Sequence, residues 1–572
     1  MKKYLFVTFA LLGLAACSEK ENATNTGEVE QSYIAINLLS ADADTRAPED
    51  SYGFDEGTDN ERAINSAYFF FFDENGNPFK VNAPADDEPA HQPGGEKNYL
   101  SLTITGGTSQ SGQNISDIKS AILILKTYKG VYPSKVVAVL NWTPADNTYT
   151  LNQLHEVVDN SLGNDEDGYV MSNSVYADKL GNIVDATPIS AENIKKTAAE
   201  AEAAPINIYV ERTAAKIAVT SSVDNFMFDT EKESDFITLS GLRTEKVFVK
   251  IHGWELYNDY TSTNLLKNIN PEWDPAAIGL TWNDIPYYRS YWAQSQDVDP
   301  DDKFSWQYDD WAAKGYQTGY GFNVASGTIY TDRKTYTYCG ENTNRINATP
   351  DYSTKVILKG QLMKKDGANY VPLELARWYG TEYAGNDALR TAVANSVKFT
   401  MYYSTDGGTT FHSIRPEDIM CVGGSSIGVD SYKVGFQLST TGKSNTWYKY
   451  DSENGYVEFG DNGVSGDNII KANEYLKSIE PALMYNEGQT YYIVDIKHLG
   501  NSGKPTEYGV VRNHVYLIDI KSIKGYGAPV YSGLDYIVDN PGYPIENESS
   551  YVAAKINVLS WKVVKQTVNI VK

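Results

Sequence analysis

Few residues in this sequence combine a type and a spacing that could do chemistry. Cys17 is the first of them, preceded by Lys2, Lys3, an apolar stretch from Tyr4 to Leu14, and the small residues Ala15 and Ala16. A thiol behind small residues can form a thioether to lipid, so residues 1–16 read as a removable signal and Cys17 as a lipidated residue. The apolar stretch is shorter than the about 20 residues that span a bilayer. Polar residues Ser18 to Thr26 then read as a tether.

The second candidate is a peptide bond, Arg46–Ala47. It lies in the stretch from Ala41 to Arg62, which carries eight acids and almost no apolar residues. Such a segment buries too little surface to fold and is expected to be mobile and open to proteases. Arg62–Ala63 offers the same chemistry, but it abuts the folded body and is expected to be less accessible.

Enzyme-like patterns are weaker. Gly424, Ser425, Ser426, Ile427 and Gly428 match a nucleophile elbow in letters. The elbow needs a strand, a sharp turn and a helix, whereas Val429 to Phe436 reads as a strand, so Ser426 is not expected to be catalytic. Gly442, Lys443 and Ser444 echo a phosphate loop, but Gln437 stands where its first glycine belongs. The six histidines (His91, His155, His252, His412, His498, His514) show no metal-ligand spacing. The acids Asp297, Asp299, Asp301 and Asp302 lack the glycine and terminal glutamate of a calcium loop and read as a solvated turn. No cofactor, metal or catalytic residue is expected, and the chain is read as a non-enzyme. The tryptophans from Trp273 to Trp311 support a rival reading, a glycan-binding surface lipoprotein with aromatic platforms, although such rings also fill sandwich cores.

The elements that must position these residues are mainly strands. Forty-three tyrosines and forty-five glycines in 572 residues suit pleated surfaces and turns. Ile34, Ile36 and Leu38 alternate on one face of a strand over Ser32–Leu39, ahead of any domain body. Further strands are predicted at 67–72, 120–125, 136–142, 206–210, 247–251, 355–361, 397–403, 491–496 and 515–520. Short helices are predicted near 151–158 and 193–203. The length implies more than one core. A net charge of -25 argues against nucleic acid as a partner. Cys339 and Cys421 are too few for a disulfide framework. At the end of the chain Val564, Val568 and Ile570 fall on one face of a further potential strand.

Several segments resemble the fimbrillins of the Bacteroidales, the subunits of donor-strand pili, and among them the major subunit of the short fimbriae. The resemblance lies in Val210 to Lys216, in the strand Val136 to Asn141, in Val511 to Lys524 and in the closing Val558 to Val563, where Ser560 replaces an expected proline. It implies a mainly β protein with two transthyretin-like β-sandwich domains in tandem, at 47–212 and 213–572. Residues 17–46 would form a propeptide anchored to the outer membrane through Cys17. Cleavage after Arg46 by an arginine-specific protease would remove Ile34, Ile36 and Leu38. The strand bearing Val564, Val568 and Ile570 would then be donated to a neighbouring copy. Implied partners are other copies of the chain, anchor and tip fimbrial proteins, and host or bacterial surface receptors. The accessory tip adhesin is the alternative role within the class.

Overall fold

The computed structural model describes residues 29–40, 54–55, 60–81, 97–103, 120–164, 167–177, 183–221, 223, 226–257, 260, 262–268, 295, 336–343, 353–426, 428, 430, 432–460, 464–498, 508–532 and 551–561. The protein is mainly β. Its first sheet contains β1 (Val29–Ser40), β3 (Ser66–Phe72), β4 (Tyr99–Thr103), β5 (Ser120–Tyr128), β6 (Lys135–Leu140), β7 (Met171–Asn173) and β8 (Ile206–Arg212), in the order β4-β3-β6-β7-β8-β1-β5. The short strand β2 (Phe54–Asp55) belongs elsewhere, as described below.

Period-two alternation decides which side chains meet in this sheet. Phe69 and Phe71 join Val136, Ala138 and Leu140 on one face, with Ile206, Ile208 and Val210 of β8. Phe70, Phe72, Val137 and Val139 point the other way, onto Leu151 and Leu154 of helix α1 (Leu151–Glu156). Thr150 caps that helix by accepting from the Gln153 backbone N–H. Leu265 and Leu266, from later in the chain, complete this second core. Helix α2 spans only Ala198–Glu202, shorter than the predicted 193–203, because Lys195 is held in an extended backbone bridge to Tyr33 of β1.

The second sheet has the order β10-β9-β11-β12-β2, with β9 at Ala215–Thr220, β10 at Tyr336–Cys339, β11 at His514–Lys524 and β12 at Tyr551–Trp561. It packs on a larger, 11-stranded sheet built around Met227–Thr238, Gly241–Tyr257, Lys355–Asp366 and Gln489–Asp495. Their shared core joins Ile217, Tyr516 and Ile518 from one sheet to Phe228, Val249 and Leu358 from the other. β12 passes Ser560 with no shift of register against β11.

A separate core lies within the second half, around Leu389, Val393, Phe436, Trp447, Leu476 and Met484. Two helices that the sequence reading lacks build it, α3 (Gly385–Val397) and α4 (Asp467–Lys477). The strand predicted at 397–403 is corrected here. Val397 ends α3 with its side chain in this core, and the strand begins only at Met401. The acidic stretch 41–62 also departs from expectation in part, since Phe54–Asp55 pairs as a strand and Asn60–Arg62 forms a 3-10 turn with Glu61 buried.

Candidate assembly site: the first strand and the junction behind it

β1 is not an edge strand. On one side it runs parallel to β8, with Ile36 beside Ile206 and Ser40 beside Val210. On the other it runs antiparallel to β5, from Val29 beside Tyr128 to Asn37 beside Ser120. Its alternation turns Ile34, Ile36 and Leu38 into the core, where their exposures are 0, 0 and 1%. Burying three such side chains contributes roughly 5 to 9 kcal/mol before ordering costs, at about 1.5 to 3 kcal/mol each. The outer end of the strand is tied by Glu30, whose carboxylate accepts from the Tyr132 hydroxyl and from the Gly130 backbone N–H at 3.2 Å. Those two hydrogen bonds hold the Glu30 carboxyl below its ordinary range.

Because β1 lies between β8 and β5, taking it away would leave unpaired backbone groups on both walls. β5 would keep a hydrogen bond on its far side, from Lys126 N–H to the Val81 carbonyl at 2.8 Å. Two facing ladders with no strand between them form a slot for one extended chain.

The segment after β1 crosses to the other half of the molecule. β2 lies parallel to the last residues of β12, Phe54 beside Ser560 and Asp55 beside Trp561. The chain then returns to a buried junction at Glu61. Arg212 donates from Nε and Nη2 to the Glu61 carbonyl at 2.9 and 2.7 Å. The Glu61 carboxylate meets Lys216 Nζ at 3.0 Å and accepts from the Tyr338 hydroxyl. Burial and the neighbouring Glu61 carboxylate push the Tyr338 phenol far above its ordinary value. Two more buried ion pairs flank this one, Lys267 with Glu211 at 3.1 Å and Arg512 Nε with Glu341 at 3.0 Å. Buried charges persist only when paired and hydrogen-bonded, so these residues fix the junction as a unit.

The two sequence segments Val210–Lys216 and Val511–Lys524 meet here. Arg212 N–H donates to Asn513 Oδ1 at 3.2 Å, Asn513 N–H donates to the Ala214 carbonyl at 2.8 Å, and β9 then runs parallel to β11. Asn513 has φ of 58°, a left-handed conformation that asparagine tolerates better than most side chains. Asn141, with φ of 56°, plays a similar part at the end of β6. Its side chain accepts from Asn65 N–H at 2.7 Å and donates to the carbonyls of Ala63 at 2.7 Å and Tyr169 at 2.9 Å. Sequence reasoning picked out both asparagines but could not pair them with these partners. It gave no role of their own to Glu61, Glu211, Lys267 and Glu341, whose partners lie far away in the chain.

Cys17, Arg46, Ala47, Val564, Val568 and Ile570 lie outside the described residues, as do Asp297 to Asp302 and Trp273 to Trp311. Ser426 sits exposed in a 3-10 turn at Gly424–Ser426, and the next regular element is the strand Lys433–Leu438, so the helix of an elbow is missing. Among the described residues no group of His, Cys, Asp or Glu could hold a metal ion. Cys339 is buried and Cys421 half-buried. His498 and His514 are buried, their rings 5.4 Å apart and edge to face. The Tyr516 hydroxyl accepts from Val511 N–H at 2.8 Å and is hydrogen-bonded to His498 Nδ1, 2.9 Å away. Burial first, with His514 and Lys267 adding to it, pushes the His498 imidazole well below its ordinary value.

Residues 483–567 match the family model for the C-terminal part of fimbrillin, the major fimbrial subunit protein type IV. That segment contains β11 and β12 and the junction residues Arg512 and Asn513. Similar solved structures include a fimbrilin from Porphyromonas gingivalis, at 12% identity over 93% of this chain and 98% of that one, with a TM-score of 0.34. The tip fimbrial protein of the same organism, with a C-terminal truncation, is 10% identical over 93% and 100%, with a TM-score of 0.29. A fimbrial assembly protein from Parabacteroides distasonis is 11% identical over 63% and 86%, with a TM-score of 0.25. No curated protein matches the chain.

Proposed function

We propose that this chain is the structural stalk subunit of a cell-surface fimbrium that serves adhesion, akin to the major subunit of the short fimbriae. It is exported as an outer-membrane lipoprotein precursor lipidated at Cys17. An arginine-specific protease cuts after Arg46, and the released slot accepts the C-terminal strand of another copy. Anchor and tip proteins bound the filament at its ends. The chain acts by assembly and carries no reaction of its own.

The observation that carries this reading is the place of β1. A strand that precedes the rest of the fold and is joined to it by a single segment lies between two ladders, with three apolar side chains in the core. One cut in that segment frees it from the body. Main-chain pairing would then give an incoming strand affinity and alternate side chains would set its register. Because the tail of one copy enters the next, the contact repeats without closing.

Arg46 is favoured over Arg62 because the latter's bond is engaged on both sides. Arg212 holds the Glu61 carbonyl and Asn141 holds the Ala63 carbonyl, so the extended conformation a protease requires would break the junction. Arg46→Ala is expected to leave the precursor uncut and unable to polymerise, read by gel mobility and electron microscopy. Efficient assembly of that variant would refute the cleavage step. Deleting Val564–Lys572 is expected to give a folded monomer that forms no filaments, and normal fibres would remove the tail from the mechanism.

A further inference from the structure

The inward face of β1 is not apolar along its whole length. Reading outward from Leu38 it runs Ile36, Ile34, Ser32 and Glu30, and Ser32 is buried at 4% exposure. Its hydroxyl has no hydrogen-bond partner. On the facing wall Leu125 stands opposite Ser32, and Thr127 is one same-face step along β5. The Thr127 hydroxyl, at 2% exposure, is likewise buried and without a partner. Two buried hydroxyls therefore share one end of the slot and satisfy neither each other nor any other group. An unmade hydrogen bond in such a place costs the desolvation of the group, so a serine fills this step poorly.

The C-terminal tail carries the same rhythm with a longer polar residue. Its alternate positions are Val564, Gln566, Val568 and Ile570, a polar step followed by two apolar ones, as in Ser32, Ile34 and Ile36. We propose that the tail of a second copy enters the slot in the same direction as β1, with Gln566 in the Ser32 register and its amide hydrogen-bonded to the Thr127 hydroxyl. This rests on the strand-exchange reading above and adds its register and its specificity contact. Val568 and Ile570 then replace Ile34 and Ile36. Lys572 falls at the Leu38 step, where its aliphatic stem covers the core and its ammonium reaches outward. With β1 in the slot the Thr127 hydroxyl is unsatisfied and with the tail in it that hydroxyl is satisfied, so exchange runs toward the tail.

The test uses the full chain cut after Arg46, titrated with a synthetic peptide of residues 561–572 followed by fluorescence anisotropy. Gln566→Ala in the peptide is expected to weaken binding about tenfold to the natural slot and less than twofold to a Thr127→Val slot. Equal losses in both slots would overturn the register while leaving strand exchange standing. A natural peptide that enters neither slot would overturn both. A second measurement needs no cleavage. In the uncut precursor Ser32→Gln is expected to slow hydrogen exchange of the β1 amides about tenfold, and unchanged or faster exchange would contradict the placement of a glutamine at that step.

Discussion

Two sheets of the molecule build the same local arrangement, and the proposal gives the two opposite permanence. In the first sheet β1 lies parallel to β8 and antiparallel to β5, and in the second β11 lies parallel to β9 and antiparallel to β12. Each central strand fills a core, Ile34, Ile36 and Leu38 in one case, Tyr516, Ile518 and Ile520 in the other. The difference lies in how each is tied. β11 is flanked by chain on both sides and begins beside Arg512 and Asn513, both locked into the junction. β1 is tied at its outer end through the Glu30 carboxylate, to Tyr132 and Gly130. Under the strand-exchange proposal, an identical sheet position is a fixed part in one half and an exchangeable part in the other.

Truncation inside each strand gives the largest contrast. Tyr516→Ala is expected to destabilise the protein by about 3 to 5 kcal/mol, both before and after cleavage, measured by denaturant unfolding. Ile36→Ala is expected to cost about 2 to 5 kcal/mol in the precursor and nothing in a subunit whose slot is filled by a tail. An Ile36→Ala effect that persists in assembled subunits would break the comparison.

The next contrast concerns charge. Glu341→Ala would strand Arg512 in the junction, with an expected loss of about 3 to 5 kcal/mol in precursor and mature protein alike. Glu30→Gln should leave global stability unchanged and alter only how firmly β1 is held, seen as faster exchange of its amides.

The smallest effects come from pH, and their windows differ. His498 is neutral in the fold with its affinity for protons depressed, so the stability it contributes is complete above its ordinary value, about 6.5, and is lost as pH falls below it. Glu30 is also depressed, so its hold on β1 is complete above about 4.3 and fades only as pH falls further. Mild acid should therefore loosen the β11 region first while β1 stays anchored. Hydrogen exchange at pH 5.5 against pH 7.5 checks this order, and earlier release of β1 would contradict it.

Much of this was legible in the sequence because strands announce themselves by alternation or as short apolar runs. Ser32–Leu39 alternates, while Ala67–Phe72 and Val136–Trp142 stand out as short apolar runs, and the structure places strands at Val29–Ser40, Ser66–Phe72 and Lys135–Leu140, the last ending two residues before Trp142. Asn141 was legible as the end of a strand, and Asn513 only as part of the resembling segment Val511–Lys524. The junction was not, since Glu61 lies 155 positions from Lys216 and Glu341 lies 171 from Arg512, distances that no local pattern spans. α3 was missed for another reason. Its apolar residues Leu389, Val393 and Val397 run directly into the β-forming Met401–Ser404, and the β-branched Val397 was read with the strand that follows it. β2 was hidden because two residues in an acidic stretch become a strand only when β12 is beside them.

The most direct test of the account is electron microscopy, at side-chain resolution, of filaments grown from protein cut after Arg46. The account predicts that the space between β8 and β5 holds an extended chain continuous with residue 561 of the neighbouring copy. Finding β1 still in that space, or β5 closed directly onto β8, would contradict it.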